Sequence, residues 1–491
     1  MIGTHIPRRR VWLCAALIVA APASRTGAQS ASGDVEARIA RIERSLLPGT
    51  RVRGRAYTPS TIEERLKALG VPAVSVAVVN DGRIEWAKAY GTADVEAPRA
   101  ATTSTLFQAA SMSKPVASMG ALRLVQEGKL ALDEPVNAKL RSWSVPASEL
   151  TAQRPVTLRG LLTHSAGLTV HGFPGYGGDA AVPTVVQILN GEKPANTAAV
   201  RVDIEPGTRW RYSGGGTTVM QLLMSDVTGE PFPTLMRRLV LDPIGMTAST
   251  FEQPLPPARA ADAATAYRRG PRAVTGRYHA YPEMAAAGLW TTPTDLARWI
   301  VEVQRSLRGE SNRVLSPEMT AAMLTAGIGN WGLGVAIEGS GDSLRFYHGG
   351  ANEGFRGTFV GFARRGWGAA VMSNSDIGGI VVEEILHAIA REYGWPGYTP
   401  REIVPIAVTA ETLSHYVGAY ALSGTPLRLT VRADSGRLMV MQPGSTWIEV
   451  IPTAPDAFMP TVPAPPLRFE RDASGRVVAL MAGDRRLERV P

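Results

Sequence analysis

The stretch FQAASMSKPVASMGALRLVQEGKL, residues 107–130, contains a serine and a lysine three positions apart, Ser111 and Lys114. Apolar residues recur through it at helical spacing and Gly128 ends the pattern, which predicts a helix that begins at Ser111. Both side chains would share one helix face. An amine beside a hydroxyl can accept its proton, or stabilise the alkoxide when charged, so the pair suits a serine nucleophile.

The pair alone is a hypothesis, because Ser-x-x-Lys also arises by chance on helix surfaces. Lysine is scarce in this chain, however, and Lys114 is the only lysine that follows a serine at this spacing. The rest of the sequence must therefore supply the context that separates a catalytic pair from a chance one.

Length and composition limit the classes of protein to which this chain can belong. The 491 residues, 45% of them hydrophobic, can bury a large core and predict more than one domain. The net charge of +9 comes mostly from scattered arginines without a long basic run, so we expect no nucleic-acid partner. The histidines are far apart and no HExxH occurs, which predicts neither a metal site nor a cofactor.

Residues 1–28 have the pattern of a signal peptide. Arg8–Arg10 precede an apolar run from Val11 to Ala21, which is too short to span a bilayer, and small residues lead up to Ala28. We therefore expect cleavage near Ala28 and export to the periplasm or the medium, by the general or the twin-arginine route. The only cysteine, Cys14, lies in this leader, so the exported protein would have no disulfide. No later stretch predicts a membrane span.

Strand patterns lie at both ends of the segment 61–394, and helical patterns lie between them. AVSVAVV predicts a buried strand, and Asn80-Asp81-Gly82 predicts a hairpin turn into the next one. Near the other end, WGLGVAIEG, LRFYHGG, FRGTFVGFA and WGAAVMSNS predict successive antiparallel strands, and VVEEILHAIAREYG predicts a closing helix. One sheet built from both ends of the segment is the architecture that this order favours.

The remaining chain divides by composition. We interpret residues 29–60 as a lead-in, residues 395–411 as a proline-rich linker and residues 412–491 as a small all-β module. The module contains two similar hairpin patterns, VRADSGRLMVM and ERDASGRVVAL, each with a turn at Ser-Gly.

Two further residues are candidates for a catalytic site. Tyr212 precedes a glycine run and a predicted helix, and His348 begins a His-Gly-Gly group at the end of a predicted strand. Each has an ordinary structural alternative, a tyrosine packed at a helix start and a histidine in a turn. His164, in LLTHSAGL, could be catalytic, but a hydrogen bond to the loop backbone is the favoured interpretation.

Taken together, the motifs resemble those of the serine β-lactamase and penicillin-binding protein superfamily, particularly class C β-lactamases, low-molecular-weight D-amino-acid peptidases and β-lactamase-like esterases. The motifs occur in the expected order: Ser111-x-x-Lys114, Tyr212-x-Gly214 and His348-Gly349-Gly350. The resemblance covers roughly residues 62–393. It implies an α/β fold of the β-lactamase/transpeptidase type, in which helices flank an antiparallel sheet and an all-helical subdomain is added. The tail resembles the lipocalin-like barrel that follows such domains in some relatives.

The resemblance also implies roles for individual residues. Ser111 would be the acylated nucleophile, Lys114 would assist its deprotonation, and Tyr212 would carry a proton to and from the leaving group. The amides of Ser111 and Ala351 would form the oxyanion hole. His348 would stand where the third motif usually has a lysine. Which of Lys114 and Tyr212 is the base stays open at this point.

The same resemblance implies substrate contacts and a substrate class. The contacts would come from Gly214, Gly349, Gly350, Asn352 and Arg356. The partner would be a small-molecule ester, an amide or a peptidoglycan-like peptide. Glycine at position 214 replaces a common asparagine, and no lysine follows Lys193, so esters or D-amino-acid amides are favoured.

Two alternatives stay open: a class C-like β-lactamase, and a penicillin-binding or sensor protein with weak catalysis. An α/β-hydrolase is disfavoured because the sequence contains no G-x-S-x-G.

Export gives the first prediction. N-terminal sequencing of protein recovered from the periplasm or the medium should return a chain that starts near Gln29, because small residues precede this position. Recovery of the full-length chain from the cytoplasm alone would contradict the prediction.

Overall fold

The computed structural model of the protein describes residues 1–3, 26–425, 427–443, 447–462 and 464–490. Most of the predicted leader, residues 1–28, lies outside these described residues. Within the described ranges, no helix combines the length and the apolar character that a bilayer crossing requires.

The helices are α1 Thr26–Glu43, α2 Ile62–Leu69, α3 Ser113–Gln126, α4 Glu149–Gln153, α5 Leu158–Leu162, α6 Val185–Asn190, α7 Gly214–Thr228, α8 Phe232–Met236, α9 Asp242–Ile244, α10 Met284–Ala287, α11 Pro293–Leu307, α12 Pro317–Met323, α13 Gly378–Tyr393 and α14 Ala410–Ser414. The strands are β1 Thr50–Val52, β2 Ala73–Asn80, β3 Arg83–Asp94, β4 Arg99–Ala100, β5 Phe107–Gln108, β6 Tyr267–Arg268, β7 Arg272–Ala273, β8 Trp290–Thr291, β9 Ala336–Glu338, β10 Arg345–Asn352, β11 Phe355–Phe362, β12 Gly368–Ser373, β13 Arg401–Ile403, β14 Gly418–Ala421, β15 Arg428–Asp434, β16 Arg437–Met441, β17 Ile448–Ala454, β18 Ala457–Pro460, β19 Leu467–Arg471, β20 Val477–Ala482 and β21 Arg485–Val490.

The central sheet is antiparallel and has seven strands in the order β4-β3-β2-β12-β11-β10-β9. Its N-terminal hairpin, β2–β3, turns at Asp81 and Gly82, which have φ values of 52° and 67°. Positive φ at both positions matches the twist of the flanking strands. Because β2 pairs with β12, distant parts of the chain form one sheet, and the predicted architecture is confirmed.

Both faces of the central strands are covered by helices, which explains why AVSVAVV is a continuous apolar run. Along β2, Val74, Val76 and Val78 belong to the apolar cluster that also contains residues of α13, whereas Ala73 and Ala77 belong to the larger cluster with α3 and α11. Side chains of a strand alternate between the two faces, so both sets must be apolar here.

The lead-in and the linker both contribute to the main domain. Ile39 and Ile42 of α1 are buried in the same cluster as residues of α13, and Trp395, in the predicted linker, joins them. Further along, β1 pairs in parallel with β13, so residues 50–52 and 401–403 form a small two-stranded sheet. These segments are packed elements and not only connections.

The C-terminal module is a closed barrel in which β14 to β21 follow one another in order and β21 pairs back with β14. This confirms the predicted barrel-like module. The two predicted hairpins are present as β15–β16 and β19–β20, and the barrel has its own aromatic and aliphatic core. Ile451 of the barrel packs with Val52 and Ile403, which joins the barrel to the two-stranded sheet.

Candidate active site

Ser111 lies in a strained turn at the start of α3. The turn is a 3₁₀ segment, Ala110–Met112, and the α-helix begins at Ser113, two residues later than predicted. Ala110 has φ +50°, a left-handed conformation that is costly for a residue with a Cβ and that excludes the α-helical geometry. The Ser113 hydroxyl stabilises the turn, since it donates to Ala110 O (2.6 Å) and accepts from Leu289 N (3.0 Å).

Lys114 is buried directly behind Ser111. Its Nζ lies 3.1 Å from Ser111 Oγ and donates to the carbonyl of Ala286 at 2.8 Å. Burial lowers the pKa of the Lys114 ammonium to about 7. At neutral pH a substantial fraction of Lys114 is therefore the free amine, which can accept the proton of the serine hydroxyl.

The residues on either side of Tyr212 both donate hydrogen bonds to His164, one to its carbonyl and one to its ring. Arg211 N donates to His164 O at 2.8 Å, and Ser213 N donates to His164 Nδ1 at 3.2 Å. The two rings lie 4.3 Å apart between centroids. Because Nδ1 accepts a hydrogen bond from an amide and burial lowers the pKa of His164 well below its usual value, this histidine is neutral and structural.

The Tyr212 ring is enclosed by aromatic side chains and by the amine of Lys114. The centroids of His171, Trp331 and His348 lie 4.9, 5.8 and 6.1 Å from its own, and Lys114 Nζ lies 4.9 Å from it. This burial raises the pKa of Tyr212 well above its usual value. The hydrogen bond with Ser111 lowers the pKa, but by less. Tyr212 is consequently a phenol, and not a phenolate, at neutral pH.

His348, on β10, is also neutral. Its Nδ1 lies 2.6 Å from Gly349 O, so Nδ1 carries the ring proton, because a carbonyl can only accept. Nε2 is buried and has no hydrogen-bond partner among the described residues. Burial, and secondarily the charge of Lys114, lowers the pKa of His348 to about 3.

Gly350 brings β10 against the turn that carries Ser111. A Cβ at position 350 would overlap the carbonyl oxygen of Ala109 and lie 3.3 Å from the Ala110 side chain. In the described chain, β9 pairs with β10 only as far as Tyr347, so the following residues have one unpaired backbone edge. Ala351 follows Gly350 along this open edge, and it lines the same cleft as Ser111.

These residues surround a cleft of about 480 Å³. It is lined by Ser111, His171, Trp210, Tyr212, His348, Gly349, Gly350, Ala351, Arg356, Gly357, Thr358, Gly379 and Val382. Most of the predicted site residues thus meet in one place, and Lys114 lies buried beneath them.

Gly214 does not line the cleft, in contrast to its predicted role as a substrate contact. It is the first residue of α7, and its amide donates to His171 O at 3.0 Å. A Cβ at this position would lie 3.0 Å from both His171 O and the Phe173 ring. The space for a side chain here is occupied by the loop that contains these two residues, so Gly214 is a packing position.

Asn352 was also predicted to contact substrate, and its side chain has other partners. It is buried, and its Nδ2 donates to Gln108 Oε1 (2.8 Å) and to Ala287 O (3.1 Å). Arg356 does reach the cleft, although its guanidinium is partly committed, since it donates to Asn352 O and forms an ion pair with Asp376 at 3.1 Å.

A family model described as Beta-lactamase matches residues 59–390. The chain belongs to the Beta-lactamase family.

Curated relatives of this Beta-lactamase family member include named hydrolases. Esterase EstB of Burkholderia gladioli is 33% identical over 37% of this chain and 47% of its own length. A putative D-alanyl-D-alanine carboxypeptidase of Escherichia coli is 26% identical over 37% of this chain and 44% of its own length. Protein Rv1367c of Mycobacterium tuberculosis is 32% identical over 48% of this chain and 63% of its own length. The chain thus spans about half the length of these relatives.

Solved structures support the fold. The octameric penicillin-binding protein homologue from Pyrococcus abyssi superposes with a TM-score of 0.61 and 22% identity, covering 87% of this chain and 98% of that one. SurE superposes with a TM-score of 0.54 and 22% identity, covering 87% of this chain and 97% of the SurE chain. At this identity the likeness concerns the fold alone.

Several residues of this Beta-lactamase family site could not be assigned from the sequence. Trp210, Trp331 and His171 surround Tyr212, and Ala286 binds Lys114 through its carbonyl. Trp210 stands two residues before Tyr212, which is the one signal that could have identified it. Within the described ranges, no group of three or more metal-binding side chains is present.

The close approach at Gly350 gives a second prediction. Gly350→Ala should lower kcat/KM by about 10²-fold, the effect of losing an oxyanion donor, because the methyl group would push β10 away from Ala109. Kinetics with an aryl ester measure this. Gly349→Ala is the matched control, since the nearest atom to its Cβ is 3.7 Å away, and it should change the value much less. Equal losses in both variants would contradict the steric argument.

Proposed function

We propose that the protein is a serine hydrolase that forms a covalent acyl intermediate on Ser111 and hydrolyses esters or D-amino-acid amides. The observation that carries the proposal is the contact of 3.1 Å between Ser111 Oγ and the buried amine of Lys114, whose pKa is lowered to about 7. A serine needs an adjacent base to become a nucleophile, and an amine with this pKa can be one at neutral pH.

The electrostatics favour Lys114 over Tyr212 as the base that starts the reaction. Lys114 is partly unprotonated at neutral pH, whereas the raised pKa of Tyr212 keeps its proton in place. Ser111 Oγ would transfer its proton to Lys114 Nζ and attack the substrate carbonyl. Tyr212 would then donate its proton to the leaving group and recover one from Lys114. Water would release the acyl group by the reverse proton path.

The oxyanion of the tetrahedral intermediate needs donors that are in place beforehand. The amides of Ser111 and Ala351 are the candidates, because Gly350 presses the free edge of β10 against the Ser111 turn. Neither amide requires a side-chain rearrangement to act.

Family membership supports hydrolysis, and two named relatives give the substrate range that we propose: an esterase and a putative D-alanyl-D-alanine carboxypeptidase. A class C-like β-lactamase is the second candidate, and the family name favours it. The neutral His348 speaks against it, since it offers no positive charge for a β-lactam carboxylate. A sensor with weak catalysis is the third candidate, and the Ser111–Lys114 contact speaks against it.

Export is part of the proposal and rests on the leader pattern of residues 1–28.

Acylation of Ser111 is the direct test. Intact-mass spectrometry after treatment with a fluorophosphonate should find one adduct on the wild type and none on Ser111→Ala. Lys114→Ala and Tyr212→Phe should keep the fold and lose about 10²-fold or more in kcat, because proton transfer is their proposed task. An adduct that persists in Ser111→Ala would exclude this mechanism.

The pH dependence follows from the lowered pKa of Lys114. The amine must be neutral to accept a proton, so kcat/KM should rise with pH, with a midpoint near 7, and then level off. His348 has a pKa of about 3, so it should add no second step between pH 5 and pH 9. A rate profile measured from pH 5 to pH 9 tests both statements. A fall in rate as pH rises through 7 would mean that Lys114 acts as an ammonium.

Substrate choice separates the first candidate from the second. Kinetics should give a higher kcat/KM for a short-chain aryl ester than for penicillin or nitrocefin. The reason is the neutral His348, which offers no positive charge to the carboxylate of a β-lactam. A β-lactam value well above the ester value would restore the β-lactamase assignment.

A further inference from the structure

The cleft has an aromatic end and a small-residue end. The aromatic end consists of Tyr212, Trp210 and His348, with Trp331 packed against all three at centroid distances of 5.4 to 5.8 Å. The other end is lined by Ala351, Arg356, Gly379 and Val382. His348 and Ala351 are three residues apart on β10, which separates the ends by about 10 Å. Gly350, beside the Ser111 turn, lies between them.

Trp210 is fixed in its position by the loop in front of β9. A Cβ on Gly329 would lie 2.6 Å from Trp210 Cγ, so the Trp210 side chain packs closely against the backbone of this residue, which has φ +70°. Gly327 N donates to Trp331 O at 2.9 Å and closes the loop. Trp210 lines the cleft and is 37% exposed. The apolar surface therefore extends from the buried rings to a partly exposed tryptophan.

The aromatic end is unsuited to a carboxylate. The ring of His348 offers a carboxylate no hydrogen-bond donor, because its proton is on Nδ1, which contacts Gly349 O, and its unpartnered Nε2 is buried. The faces of aromatic rings carry negative potential and repel anions as well. Among the described residues that line the cleft, the one arginine is Arg356, which lies at the other end and pairs with Asp376. The remaining lining histidine, His171, has a lowered pKa because of burial and the charge of Lys114.

We propose that the aromatic end binds the leaving group of the substrate, and that this group is an uncharged aromatic or bulky apolar alcohol. The assignment rests on the proposed function, in which Tyr212 donates the proton to the leaving oxygen. Acylation forms the bond between Ser111 Oγ and the acyl carbon and breaks the ester C–O bond. The serine proton reaches the leaving alkoxide through Lys114 and Tyr212. The substrate class narrows to aryl or bulky-alcohol esters, away from peptides whose leaving amino acid bears a carboxylate.

Esters with one acyl group and different alcohols test this. We would compare kcat/KM for phenyl acetate, 4-acetoxybenzoate and ethyl acetate, each divided by its rate of alkaline hydrolysis. The wild type should prefer phenyl acetate to the carboxylated ester by about tenfold or more. Trp210→Ala should lower the ratio of phenyl to ethyl ester by about two- to tenfold, the usual range for an aromatic contact.

Trp447→Ala is the matched control. This tryptophan is half-buried in the barrel, where the Arg432 guanidinium lies 4.1 Å from its ring, and its loss should leave the ratio unchanged. Turnover with an unchanged ratio in Trp210→Ala would overturn the leaving-group assignment and leave the serine-hydrolase proposal intact. Failure of every ester to be turned over through Ser111 would overturn the hydrolase proposal, and the assignment with it.

A binding measurement separates the site from the chemistry. Saturation-transfer NMR on Ser111→Ala, with para-cresol and 4-hydroxybenzoate as ligands, should detect para-cresol with the higher affinity. Adding Trp210→Ala should weaken the para-cresol signal. Equal binding of the two phenols, or binding that does not depend on Trp210, would overturn the proposal.

Discussion

The contact between a buried amine and a serine hydroxyl is the constraint on which the site depends. A lysine with a pKa near 7 instead of 10.5 corresponds to about 5 kcal/mol of unfavourable charge burial. Between pH 7 and pH 10.5 Lys114 is protonated in the unfolded chain but largely neutral in the folded one. Its contribution to the free energy of unfolding therefore increases as pH rises through this range. Burying Lys114 away from water thus lowers the stability of the folded state at neutral pH. The carbonyl oxygen of Ala286 is the buried acceptor that orients the amine.

The surrounding fold supplies what this pair needs. The sheet is built from both ends of the main domain, so β10 reaches the start of α3 from a part of the chain more than 230 residues away. Gly350 sets the distance between them, and the strained Ala110 sets the direction of Ser111. Strain at a non-glycine residue next to the proposed nucleophile is maintained only because the packing around it leaves no alternative.

The histidines around Tyr212 have different roles, although each of them lies near the charge of Lys114. His164 supports the backbone around Tyr212 through its ring and its carbonyl, whereas His348 donates from Nδ1 to Gly349 O and keeps its Nε2 buried. Burial and the proximity of Lys114 keep both neutral. A site with these properties is electrostatically different from one with a lysine at position 348, and this difference supports the proposed preference for uncharged leaving groups.

The sequence by itself indicated one sheet built from both ends of the main domain, the hairpins and an all-β module, and its motifs singled out Ser111, Lys114, Tyr212 and His348. It could do so because strand alternation, turn residues and short motifs are local patterns. The barrel was implied by the resemblance to known relatives. The start of α3 was misplaced because the φ of Ala110 is imposed by tertiary contacts and not by its own preference.

Only the tertiary structure decided which neighbours complete the site. Gly214 and Asn352 were predicted to contact substrate from their positions in the motifs. A loop fills the space beside Gly214, and the side chain of Asn352 is engaged in buried hydrogen bonds. Trp331 contacts Tyr212 and Ala286 contacts Lys114, each from more than 70 residues away along the chain, and no local pattern marks either neighbour. The protonation of Lys114 and His348 was likewise beyond the sequence, because a pKa depends on burial, and burial is a property of the folded chain.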